Sequence, residues 1–97
     1  MVIKMKKFGT TLISRQMGKE AFLAFQPVLR GKKNGEKIEI DFEGVLTFSP
    51  SWGDEFFNPL LEKYGEGIVF KNTDNLSVKA TLEMLQEISK KKFNIVK

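Results

Sequence analysis

The sequence predicts an α/β domain: a small mixed, largely parallel β-sheet opened by an N-terminal hairpin, with about three helices packed on it. Three observations carry that expectation. Apolar periodicity changes along the chain in the order strand or hairpin, helix, strand, helix, strand, helix. Alternation of this kind needs crossover connections, and crossovers bring strands together in parallel. Lys37-Ile38-Glu39-Ile40-Asp41-Phe42 alternates polar with apolar residues, so Ile38, Ile40 and Phe42 share one face of a strand. Val78, Leu82, Leu85 and Ile88 recur at steps of four, three and three, one stripe of a helix.

The elements follow in order. Val2, Ile3, Met5 and Phe8 outline a first strand, and Gly9 turns it into a second, Thr10 to Ile13, which together make the hairpin. Ser14 caps a helix whose apolar face is read as Met17, Ala21, Ala24, Phe25 and Val28, and which Pro27 should end or kink. Gly31 to Gly35 is a polar turn. A second helix begins at Ser49 to Ser51. Either Pro50 takes the first helical position, or Ser51 is the cap and Asp54 completes a capping box three residues on. Phe56, Phe57, Leu60 and Leu61 supply its apolar face, Pro59 should bend it, and Tyr64-Gly65-Glu66-Gly67 closes it. Ile68-Val69-Phe70 is a short strand with the composition of one buried on both sides. Asn72, Asp74 and Asn75 turn the chain into a third helix, from about Leu76 to Lys91. Lys90, Lys91 and Lys92 then complement the helix dipole. Phe93 to Val96 adds an edge strand or packs as a tail. No internal repeat, linker or low-complexity segment stands out.

Composition bounds the function. A chain of 97 residues is expected to form one domain spanning 1–97, and with 41% hydrophobic residues and nine Phe it can build a core. The absence of Cys removes disulfides and thiolate nucleophiles, and the absence of His removes the commonest general base and zinc ligand. No glycine-rich phosphate loop is present. No apolar run approaches the roughly 20 residues of a membrane helix, and no signal-peptide core follows the basic N-terminus, so a cytoplasmic protein without membrane association is expected. The net charge of +4 hides an uneven distribution: +7 over residues 1–35, −6 over 36–70 and +3 over 71–97. An acidic middle between basic flanks suits a protein partner with a mixed or basic face better than a phosphate backbone. The Lys-rich runs also lack the interleaved aromatics that would argue for nucleic acid.

The candidates for function lie between Ile40 and Phe57. The plain reading of Ser51 is a helix cap. Trp52, in the first turn of its helix, is an interface anchor if exposed and a core residue if buried. Asp41, Glu43, Asp54 and Glu55 would, if they converged, hold Mg²⁺ or act as acid and base. The simpler reading makes them caps and surface acids. Arg15 is placed to bind an acidic partner group or to pair with Glu43, and Gly44 to supply a positive φ.

Asp41-Phe42-Glu43-Gly44-Val45, followed by Ser49-Pro50-Ser51 and a helix, is similar to the Asp-Leu-x-Gly-Val...Asp-Ser-Ser-Gly-Leu segment of STAS domains, the fold of bacterial anti-sigma factor antagonists. It resembles more closely the STAS-like domain of unknown function DUF4325. Phe8-Gly9, Leu12-Ile13-Ser14-Arg15 and Ile68-Val69-Phe70-Lys71-Asn72 also suit that family. The resemblance covers most of the chain and implies a STAS-like, non-catalytic regulatory module, not an enzyme, with no cofactor or metal. In the antagonists, a kinase-type anti-sigma factor phosphorylates the serine at this helix start. By motif position that serine is Ser51, and the implied partner is a protein such as a histidine-kinase-like ATPase. The docking surface is then Ser49, Trp52, Asp54, Glu55 and Phe56, with Trp52 and Phe56 as anchors and the two acids setting charge complementarity. The competing reading is a small nucleotide- or metal-binding domain, or an enzyme, using the acidic loop 41–55 beyond the carboxyl end of a strand.

Overall fold

Strands and helices alternate as β1 (Val2–Lys4), β2 (Thr11–Leu12), α1 (Arg15–Arg30), β3 (Ile38–Asp41), β4 (Thr47–Phe48), α2 (Pro50–Tyr64), β5 (Ile68–Lys71), α3 (Leu76–Ser89) and β6 (Asn94–Ile95) in the computed structural model, which describes residues 1–96. A main sheet of four strands has the order β1-β3-β5-β6, and a second sheet pairs β2 with β4. Every pairing is parallel, with Ile3 beside Ile40, Ile40 beside Phe70, and Phe70 beside Ile95. The fold is the α/β architecture expected, with a parallel sheet and three helices.

The expected N-terminal hairpin does not form. After β1, a 3₁₀ turn at Met5–Phe8 and Gly9 at φ 128° lead the chain out of the main sheet, so β2 opens the second one. After β3 the chain does the same. The loop through Gly44, at φ 84°, delivers β4 alongside β2. Two successive units therefore share one plan: a main-sheet strand, a step, a short strand of the second sheet, a serine cap and a helix. In both, a glycine stands four residues beyond the cap, Gly18 after Ser14 and Gly53 after Ser49. This local repetition was not apparent from the sequence, because the two units share only the Thr, Ser and Gly positions.

Successive right-handed crossovers along a sheet ordered β1-β3-β5-β6 place all three helices on one face. On that face Ile3, Ile38, Ile40 and Phe70 are buried beneath a layer in which α2 packs against both α1 and α3. Aromatic rings fill the space between. Trp52 stacks on Phe56 with centroids 5.0 Å apart, Phe57 meets Phe48 edge-on at 5.8 Å, and Phe70 stacks on Phe93 at 5.0 Å. Burial of each such ring contributes about 1.5–3 kcal/mol. The opposite face of the sheet carries Val2, Glu39 and Val69 in one row and charged residues in the next. Lys4, Asp41 and Lys71 stand in one row across three strands, and Lys71 pairs with Glu39 at 3.3 Å.

The apolar face of α1 is rotated from the one the sequence suggests. Gly18, Phe25 and Leu29 are buried, with Ala21 and Phe22 partly so, whereas Met17, Ala24 and Val28 face outward. Pro27 does not end the helix. It lies on the exposed side, where water can solvate the Leu23 carbonyl that the missing N–H leaves free. Pro59 likewise sits inside α2. In α3, Val78, Leu82 and Leu85 are buried as expected, but Ile88 is exposed.

Candidate functional site

The start of α2 is fixed by Ser49. Its hydroxyl oxygen accepts from the Trp52 N–H at 3.3 Å, and its O–H donates to the Ile13 carbonyl at 2.5 Å. Pro50 then occupies the first turn, where its missing N–H costs nothing. The cap is thus Ser49 rather than Ser51, and the capping box with Asp54 is not built. Ser51 stands at the second helical position, half-buried, and among the described residues its hydroxyl bonds to nothing.

The start of α1 lies beside it. Because β2 and β4 run parallel, with Thr11 beside Thr47 and Leu12 beside Phe48, the helices that follow them begin side by side. The Ser49 N–H donates to the Leu12 carbonyl at 2.9 Å, and Ser14 caps α1 by accepting from the Met17 N–H at 3.0 Å. Across the seam Arg15 donates to Asp54 at 2.8 Å and to Glu55 at 3.1 Å. Hydrogen bonding to Asp54, and then to Glu55, raises the affinity of that guanidinium for its proton. Arg15 is 54% exposed, against 37% for Asp54 and 30% for Glu55, so solvent screens the pair and the cluster fixes orientation more than it adds stability. Arg15 does not pair with Glu43.

Trp52 and Phe56 do not reach this surface. Trp52 is 2% exposed and Phe56 is fully buried, and the indole touches Phe8, Phe48, Phe56 and Phe57. The anchor role expected of both fails for a geometric reason. The main chain of α2 at Trp52 lies against Gly18 of α1, which directs the ring down into the core. The accessible groups of the seam are Arg15, Ser51, Asp54 and Glu55, with Ser49 holding them in place.

The four acids do not converge. Asp54 and Glu55 are committed to Arg15, whereas Asp41 belongs to the face of the main sheet away from the helices. Asp41 accepts from the Asn72 amide at 2.7 Å and from the Glu43 N–H at 2.9 Å, tying the turn after β3 to the turn after β5. Burial pushes its carboxyl up. The hydrogen bonds from Asn72 and Glu43, with Lys71 and Lys4 alongside, outweigh that, and its pKa lies below the ordinary value. A cleft of about 220 Å³ beside it is lined by Lys4, Lys6, Asp41, Glu43 and Gly44. Among the described residues no three acids form a group that would hold a metal ion.

Ser77 and Thr81 of α3, which sequence reasoning passed over, hold the outer edge of β4, with Asn75 at the helix cap beside them. Ser77 accepts from the Phe48 N–H at 3.0 Å and donates to the Phe48 carbonyl at 3.2 Å. Thr81 donates to the same carbonyl, and Asn75 to the Leu46 carbonyl at 3.2 Å. The available signal was two hydroxyls four residues apart, Thr81 lying within the apolar stripe itself. Among the described residues no helix is long and apolar enough to cross a membrane.

No curated protein and no solved structure matches the chain. A family model does match residues 25–78, more than half of the chain, from within α1 to the first turn of α3, and that span includes every candidate residue from Asp41 to Phe56. The chain belongs to the family described as STAS-like domain of unknown function, DUF4325.

Proposed function

We propose that this domain is a non-catalytic regulatory module that docks a protein partner on the seam between the starts of α1 and α2, and that phosphorylation of Ser51 releases the partner. The observation that carries the reading is the division of labour between two serines. Ser49 does the capping, and the Ser51 hydroxyl, half-buried in the first turn of α2, makes no bond among the described residues. A phosphate there is favoured by the helix dipole. It adds about −1.5 to −2 charges three and four residues before Asp54 and Glu55, on the same helix face. Those charges compete for Arg15 and carry a desolvation cost when a partner covers them, so docking weakens. Membership of a STAS-like family supports a regulatory role, and the resemblance to anti-sigma factor antagonists points to a histidine-kinase-like ATPase in the cytoplasm as the partner class.

Titration calorimetry of the purified domain against such an ATPase tests the reading. Wild type and Ser51→Ala should bind alike, and Ser51→Asp at least tenfold more weakly. Equal affinity of all three removes the gating. Failure of Arg15→Glu and Glu55→Lys to alter binding removes the seam as the docking surface.

A further inference from the structure

Leu76, Ala80, Met84 and Ile88 follow one another at steps of four along α3, the spacing of a ridge on a helix surface, and all four are exposed. Leu76, at 82%, is the most exposed large apolar side chain among the described residues. The ridge ends at a notch of about 70 Å³ between α2 and α3, whose apolar lining is Phe57, Leu61, Leu85, Phe93 and Ile88 itself. One end of the helix thus carries a projecting knob and the other an apolar recess. Twelve residues separate them, about 18 Å of helix.

We propose that two copies of this chain pair through α3 about a two-fold axis that passes between Ala80 and Met84. Antiparallel pairing seats Leu76 of each copy in the recess beside Ile88 of the other, twice over, and the contact closes on itself. The small Ala80 then faces the long Met84 side chain. Ridges of this spacing lie side by side when the two axes cross at about −50°. Charge follows the same symmetry. The rotation that brings Leu76 to Ile88 brings the start of α3 in each copy, where Asp74 is exposed, to the end of α3 in the other, where Lys90 is exposed. The second copy is the occupant because knob and recess, aspartate and lysine, all lie on this one chain in reciprocal positions.

Sedimentation equilibrium over a wide concentration range tests the pairing. Wild type should be a dimer at the upper end. Leu76→Glu should be a monomer with an unchanged far-UV spectrum, and Ala80→Glu, a second exposed position, should repeat the result. Asp74→Lys and Lys90→Glu should each weaken the dimer several-fold, and the two combined should restore it. The chain has no cysteine, so Leu76→Cys with Ile88→Cys gives a direct readout. The two sites are too far apart to bridge within one helix, and oxidation should yield a covalent dimer, whereas Leu23→Cys on α1 should remain monomeric. A wild type that is monomeric throughout, or a dimer that both Leu76→Glu and Ala80→Glu leave intact, overturns the proposal.

Discussion

Gly18 of α1 rests against the main chain of Trp52 in α2: a methyl group built on Gly18 would stand 2.5 Å from the Trp52 carbonyl oxygen and 3.0 Å from its Cα. That contact sets the separation of the two helix starts, and with it the reach of Arg15 to Asp54. By helix propensity alone, Gly18→Ala should stabilise by about 1 kcal/mol. The clash is with backbone, which cannot swing aside as a side chain can. Overpacking of this kind costs about 1–3 kcal/mol before the propensity gain is counted. Gly18→Ala is therefore expected to lower the urea midpoint rather than raise it, and a midpoint above wild type would show that the helices separate at little cost.

The short strand β4 is held from both sides. Its inner edge pairs with β2, and its outer edge is satisfied by Ser77 and Thr81 of α3, both donating to the Phe48 carbonyl. Thr81 is buried, so its hydroxyl was desolvated to make that bond. Thr81→Val keeps the shape and deletes the donor, and should cost about 1–2 kcal/mol. Ser77→Ala with Thr81→Val should cost more than the sum of the two single changes, because together they leave a buried carbonyl without a side-chain donor. A double-mutant cycle in urea measures the coupling, and strict additivity would mean that water replaces the lost donors.

The regions legible in the sequence are those where one face was unambiguously polar. In β3 the alternation of Lys37, Glu39 and Asp41 with Ile38, Ile40 and Phe42 leaves no second choice, and all three apolar residues are buried. In α1 Phe22, Leu23, Ala24 and Phe25 follow one another and point to all sides of the helix, so periodicity could not select a face. The selection came from Gly18, whose value lies in a contact with Trp52, a residue 34 positions away. Strand pairing was opaque for a related reason. β1 and β2 are neighbours in sequence, yet their partners are β3 and β4, and a strand of two residues carries no pattern that names a partner. The serine start of α2 was readable, but not which serine caps it: Pro50 suited the first helical position, yet the plain reading gave the cap to Ser51, and the structure gives it to Ser49. The depth of Trp52 and Phe56 was not readable, because family likeness gives a position along a helix and not which side of it is covered.

Asp41 links the main sheet to pH. Its carboxyl lies below its ordinary pKa, so the stability it contributes is fully present above the unfolded value of about 3.9 and is lost as pH falls through the lower native value. Asp41→Asn removes the charge and keeps the shape. Charge-assisted hydrogen bonds contribute about 1 kcal/mol more than neutral ones, so the variant should be less stable than wild type by roughly that amount at neutral pH. The difference should begin to shrink below about pH 5 and continue to fall as wild-type Asp41 takes up its proton. Unfolding curves at a series of pH values give that difference directly, and a gap independent of pH would assign the effect of Asp41 to shape rather than charge.

The two serines at the start of α2 should separate cleanly. Ser49 makes two bonds, accepting from the Trp52 N–H and donating to the Ile13 carbonyl, so its loss removes a cap and a tie between the two strand–helix units. Ser49→Ala is expected to cost about 1–2 kcal/mol. Ser51 makes no bond among the described residues, and Ser51→Ala should fall within about 0.5 kcal/mol of wild type. Ser51→Asp places an anion in the first turn, where the dipole favours it by about 0.3–1 kcal/mol, so the phosphomimetic should melt at or above the wild-type temperature. That sign matters for docking. If Ser51→Asp weakens a partner complex while leaving the fold as stable as before, the added charge at the seam is responsible. If it destabilises the domain to the extent Ser49→Ala does, Ser51 is a structural residue and phosphorylation would act by unfolding the helix start rather than by displacing a partner.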